Sequence, residues 1–123
     1  MVNPPKEQEL LNALYCAEQS TNAALIESAV SGLAIYYAVT KQFLTAAPFW
    51  RRGAELLIKG TARDSCELAT YLHNMAAMCL IPAGLHDEAR ATLKRSKELY
   101  ELYFGSDAKP MSEVDELLHE IAT

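Results

Sequence analysis

The chain has 123 residues and a formal net charge of −5, with half of its residues apolar and 22% charged. That length suits one ordinary domain, and the composition excludes a disordered chain. The acidic balance argues against binding nucleic acid or an acidic membrane by bulk charge. Three cysteines without close pairing argue against a disulfide scaffold and fit a reduced, cytoplasmic setting.

The first ten residues, MVNPPKEQEL, lack the basic, apolar and small-residue parts of a secretory signal. The longest run without Asp, Glu, Lys or Arg is Leu68 to His86, 19 residues. Thr70, His73, Asn74, Pro82, Gly84 and His86 dilute it below the apolarity of a membrane span, so a buried helix is expected there.

In chain order, nearly every segment reads helical. Asn3-Pro4-Pro5 is a helix start, followed by a stripe of Leu10, Leu11, Leu14 and Tyr15. Ser20-Thr21-Asn22 ends that helix and caps a second, expected from about Ala23 to Val39. Its helical periodicity rests on Ile26, Val30, Leu33 and Tyr37, and small residues fill its other faces. Thr45 is the expected cap of a third helix, with Pro48 in its first turn, Phe49, Trp50, Leu56 and Leu57 buried, and an end at Gly60. Asp64-Ser-Cys-Glu67 is a capping box for a fourth helix, closed by Pro82 and Gly84. His86-Asp87-Glu88 start a fifth, with Ala89, Leu93, Leu99 and Tyr103 on its stripe and Gly105 at its end. Ser112-Glu-Val-Asp115 caps a sixth, with Val114, Leu117, Leu118 and Ile121 on one face.

Two stretches repeat. Trp50-Arg-Arg-Gly-Ala-Glu-Leu-Leu57 aligns with Leu93-Lys-Arg-Ser-Lys-Glu-Leu-Tyr100, and Ala46 with Ala89. Upstream, Asn22 falls on Asp64, Leu33-Ala34 on Met75-Ala76 and Tyr37 on Cys79. The extra residue lies in the Leu80 to Gly84 turn. Helix pairs repeating every forty-odd residues point to an α-solenoid.

The run Leu72-His-Asn-Met-Ala76, then Gly84-Leu-His-Asp-Glu-Ala89 and Leu93-Lys-Arg-Ser96, resembles a tetratricopeptide repeat. It is most similar to the 42-residue type of kinesin light chains, whose first helix carries an LNNLA-like run. The resemblance covers about residues 22 to 107. It implies an all-α, short α-solenoid of about six helices in one domain over 1–123. Repeats would occupy about 22–62 and 64–107, with flanking cap helices over 4–19 and 112–122. The first of these repeats lacks the turn glycine.

Catalytic and metal signatures are sparse. Glu116 and His119 share a helix face, but a di-iron bundle needs two such motifs. Cys66 and His73 lie two turns apart without further ligands. Cys16 and Cys79 fall on apolar stripes and read as core thiols. No enzyme activity, cofactor or metal is expected. A basic ridge of Arg51-Arg52 and Lys94-Arg95 reads as solvated surface.

By the same resemblance, the first helix of each pair would line a groove. The partner-binding candidates are Ser31, Ile35, His73, Asn74 and Leu80. Asn74 matches an Asn of the LNNLA-like run, and an Asn there can pair with a peptide amide through donor and acceptor together. Tetratricopeptide domains that clamp acidic chaperone C-termini carry Lys, Arg and Asn at these positions. The mostly Ser, Ile, Ala, Thr and His set here argues against a carboxylate clamp and for an apolar anchor. The expectation is a non-catalytic scaffold that binds a protein or peptide partner, with no nucleic acid or membrane span and with homo-oligomerisation open. The alternatives are a regulatory piece of a larger protein, packing on a catalytic domain, or a self-associating assembly subunit.

Overall fold

The computed structural model describes residues 4–60, 65–105 and 109–122. Their regular structure is all helical, in six helices: α1 (Pro4–Ser20), α2 (Ala23–Val39), α3 (Phe43–Lys59), α4 (Cys66–Met75), α5 (His86–Phe104) and α6 (Lys109–Ala122). The chain divides into two compact units, Met1–Leu56 and Leu57–Thr123. Among the described residues, no helix is long and apolar enough to cross a membrane.

The α1–α2 link is a two-residue turn. The Asn22 side chain accepts from the Ala24 and Leu25 amides at 3.0 and 3.2 Å, satisfying donors that the start of α2 leaves open. The α2–α3 link is a Schellman ending. Lys41 sits in the left-handed region at φ 64° and its N–H donates to Ala38 C=O, while Gln42 N–H donates to Tyr37 C=O at 2.7 Å.

That ending leads straight into α3, which begins at Phe43, two residues before the expected Thr45 cap. Pro48 consequently sits inside α3, past its first turn. Without an N–H it leaves Leu44 C=O without its helical donor, which this exposed end tolerates. Trp50 and Leu57 are buried as expected, and Phe49 and Leu56 are half-buried.

The cap of α4 is Ser65, whose side chain accepts from Leu68 N–H at 3.0 Å. Its third helical residue is therefore Leu68, so Glu67 closes no capping box; Asp64 lies outside the described residues, as does Asn3. α4 runs into a π-helical turn over Ala76–Leu80, where Ile81 N–H donates to Ala76 C=O at 3.0 Å. Pro82 offers no N–H to Met78 C=O, which interrupts the ladder, and Ala83 N–H donates to Cys79 C=O at 3.0 Å. Gly84 then turns the chain at φ 81°.

α5 ends at Gly105, whose N–H donates to Glu101 C=O at φ 80°. α6 starts at Lys109, ahead of the expected Ser112 cap. Pro110 fits this first turn, where no N–H is needed, and Met111 joins Val114 and Ile121 in the core.

Each unit packs on small residues. In the first, α1 lies on α2, and a Cβ built on Gly32 would come within 3.4 Å of Leu10 Cδ2. Tyr37 of α2 stacks on Phe49 of α3, with ring centroids 5.6 Å apart. In the second, α5 lies against both α4 and α6. Ala69, Ala76, Ala89, Leu93 and Ser96 are fully buried there.

Several aligned positions share their burial. Leu33 and Met75, Ala34 and Ala76, Tyr37 and Cys79, Ala46 and Ala89, and Trp50 and Leu93 are all core pairs. Gly53 and Ser96 are buried too.

Some stripe assignments shift. Tyr15 is 65% exposed, and among the described side chains of α1 Leu14 and Ala17 are the buried ones. Cys16 is exposed, unlike the buried Cys79. It points about 200° round the helix from Leu14, so it cannot share that contact. On α5, Tyr100 takes the core position expected for Tyr103, which is half exposed one turn-step later.

Trp50 is 3% exposed. Trp50→Ala is expected to cost about 3–5 kcal/mol in urea unfolding, as large aromatic truncations in cores do. A loss below about 1 kcal/mol would place Trp50 at the surface.

Candidate functional site

The five residues expected to bind a partner fall into two sets, one in each unit. Ser31 and Ile35 lie one turn apart on α2. Ile35 is 46% exposed, and Ser31 is partly exposed. Val39, one further turn on, is also exposed. Sequence reasoning did not single it out, although its spacing from Ile35 is the signal that finds it.

In the second unit, Asn74 of α4 is exposed and His73 is partly buried. Leu80 corrects the expectation: it is fully buried, in the π-helical turn, and belongs to the core. The helix ends in an apolar turn against α5, and a side chain sealed there offers no surface to a partner.

His73 is part of a polar cluster on the α4–α5 contact. Its Nδ1 lies 3.4 Å from Tyr100 Oη, and the two rings meet edge to face. Tyr100 Oη donates to Thr70 Oγ1 at 3.2 Å. Burial pushes the Tyr100 phenol up from its ordinary value. Deeper in, the buried Ser96 hydroxyl donates to Ala69 C=O at 2.7 Å. These bonds satisfy polar groups that the packing would otherwise strand. His73 is thus tied to the helix contact, while Asn74 faces solvent.

The first unit has a matching polar tie. Tyr37 Oη donates to Glu7 Oε2 at 2.6 Å, linking α2 to α1. Burial, with the Glu7 carboxylate beside it, pushes the Tyr37 phenol up to about 12. Arg52 of α3 pairs with Glu18 of α1 at 2.7 Å. In the second unit, Lys97 of α5 pairs with Asp115 of α6 at 2.8 Å, a bond that raises the lysine's pKa. Both ion pairs are substantially solvent-exposed, and such pairs contribute little to stability.

Between α1 and α2 an apolar groove of about 390 Å³ is lined by Ala13, Cys16, Ala17, Leu25, Ser28 and Ala29. Leu25 is 53% exposed at its edge. No group of three or more His, Cys, Asp and Glu side chains is placed to hold a metal among the described residues. Glu116 and His119 are both exposed on α6.

No protein-family model and no curated protein matches the chain.

The Tyr37 pair has a pH signature. The folded state holds the phenol proton to about pH 12, against 10.0 for an ordinary tyrosine. The contribution is therefore complete below about pH 10 and is lost as pH rises from there through about 12. Absorbance titration at alkaline pH should show a late-ionising tyrosine that Tyr37→Phe removes. A wild-type curve unchanged by that substitution would contradict the Tyr37–Glu7 bond.

Proposed function

We propose that the chain is a non-catalytic protein-interaction module of the tetratricopeptide-like class. Each unit, taken by itself, binds an extended or helical segment of a partner through the first helix of its repeated pair. Ile35 of α2 supplies an apolar anchor contact, and Ser31 lies beside it. Asn74 of α4 supplies paired hydrogen bonds to a backbone amide. His73 orients through its contact with Tyr100.

The observation that carries this reading is the apolar exposure of α2. This helix buries Val30, Leu33, Ala34 and Tyr37, yet it also leaves Leu25, Ile35 and Val39 exposed. A surface helix that only serves the core shows one apolar face. The shared burial of repeat-aligned positions supports the repeat that the reading assumes.

The test is a selection of displayed random peptides on the immobilised chain, followed by fluorescence polarisation with the enriched peptides. Peptides with apolar anchors at helical or alternate spacing are expected. Ile35→Glu should weaken them by roughly tenfold or more, as loss of a buried anchor contact does. Asn74→Ala should weaken them by a smaller factor, with helix content unchanged in both variants. No enrichment over scrambled sequences, or full binding by folded Ile35→Glu, would overturn the proposal.

A further inference from the structure

The two tight turns of the first unit are built differently. At the α2–α3 turn, left-handed Lys41 is locked by both backbone bonds of the Schellman motif. At the α1–α2 turn the left-handed residue is Thr21, at φ 55°. Thr21 is β-branched, and that conformation is a true outlier for such a side chain. Its N–H reaches Glu18 C=O only at 3.4 Å, and Asn22 N–H bonds the Ser20 hydroxyl instead of a helix carbonyl. The Ser20 hydroxyl donates to Ala17 C=O at 2.6 Å and the Asn22 side chain caps α2, so the link is short and tied by side chains, with its strain confined to Thr21.

The helix it tethers lies close along α2 but buries few side chains of its own. Among the described side chains of α1, only Leu14 and Ala17 are buried. Its longer-range ties are Glu7 to Tyr37 and Glu18 to Arg52, one near each end. Beside it lies the incompletely filled groove that Ala13 and Cys16 line with Leu25 and Ser28. Every one of these contacts can be remade by an identical helix from another molecule.

We propose that α1 is exchanged between two copies of this chain. The Ser20-Thr21-Asn22 turn opens into helix, so that α1 and α2 become continuous. Each α1 then lies on the α2 of the other copy. The exchange rebuilds the same contacts, removes the Thr21 strain twice and gives up the Asn22 cap. Short hinges under strain favour this route to a dimer. The partner is a second copy, because the displaced surface is the one α1 already fits.

Two substitutions at the hinge move the balance in opposite directions. Thr21→Gly accepts the left-handed conformation and weakens a continuous helix. It should lower the dimer association constant by on the order of tenfold or more, since two hinges are relieved per dimer. Asn22→Ala removes the cap that only the closed turn uses and favours continuous helix, so it should raise the dimer fraction.

The experiment is light scattering after size exclusion on chains refolded at high concentration, for wild type and both variants. A dimer that Thr21→Gly depletes and Asn22→Ala enriches is expected. The exchanged helix is then traced with a short bis-maleimide between Cys16 and an introduced thiol, Ser28→Cys, in a Cys66→Ser background. Cys16 and Ser28 face the same groove, so an exchanged dimer gives a covalent two-chain product on denaturing gels. Monomer at every concentration, a dimer indifferent to both hinge variants, or cross-links only within single chains would each overturn the proposal.

Discussion

Close helix approach over small side chains is the constraint on which both units depend. Ala29, Ala34, Ala38, Ala46 and Ala47 are buried in the first unit, and Ala69, Ala76 and Ala89 in the second. Alanine gives up no side-chain entropy in a helix and favours it intrinsically. It also keeps the surface low enough for neighbouring helices to meet backbone to backbone. The Gly32 position over Leu10 shows the same economy of space between α1 and α2. Large residues such as Leu33, Trp50, Leu68, Leu93 and Leu99 then fill what remains.

Close approach has an electrostatic consequence. Helices brought together over alanine carry carbonyls and hydroxyls into the contact, and these must be paired. The Ser96 hydroxyl on the Ala69 carbonyl, the Tyr100 phenol on Thr70 and the Tyr37 phenol on Glu7 do this. Each polar tie joins two elements far apart in sequence, so each fixes axial register as well as satisfying a donor. Packing on small residues is permissive about register, and directional bonds supply what it lacks. The exposed pairs Arg52–Glu18 and Lys97–Asp115 add orientation with little stability.

Much of this was legible in the residues. The Asn22 cap and the Gly105 stop are local chemistry, and α2 runs over the residues its periodicity marks. Errors gathered where two local signals competed. Thr45 and Ser112 are good caps by type, but the Lys41 turn and Pro110 start their helices earlier. Cys16 and Tyr15 look apolar in one dimension, and a helix with a narrow buried stripe turns them outward. Of the binding candidates, Ile35 and Asn74 are exposed and His73 and Ser31 partly so, whereas Leu80 is core. In an α-helix that is apolar nearly all round, periodicity cannot say which apolar residue faces solvent. Burial then depends on neighbours that no local pattern encodes. The π-helical turn over Ala76–Leu80 was beyond reach as well, since its small and apolar residues also suit an ordinary α-helix.

Small buried side chains set the spacing of the helices. Ala69 is fully buried, and its carbonyl receives the Ser96 bond. Urea unfolding of Ala69→Leu measures that constraint directly. The added bulk should push α4 from α5, lengthen the Ser96 bond and cost about 1–3 kcal/mol, as overpacking does. Stability equal to or above that of the wild type would mean the contact has room to spare, and would contradict the account.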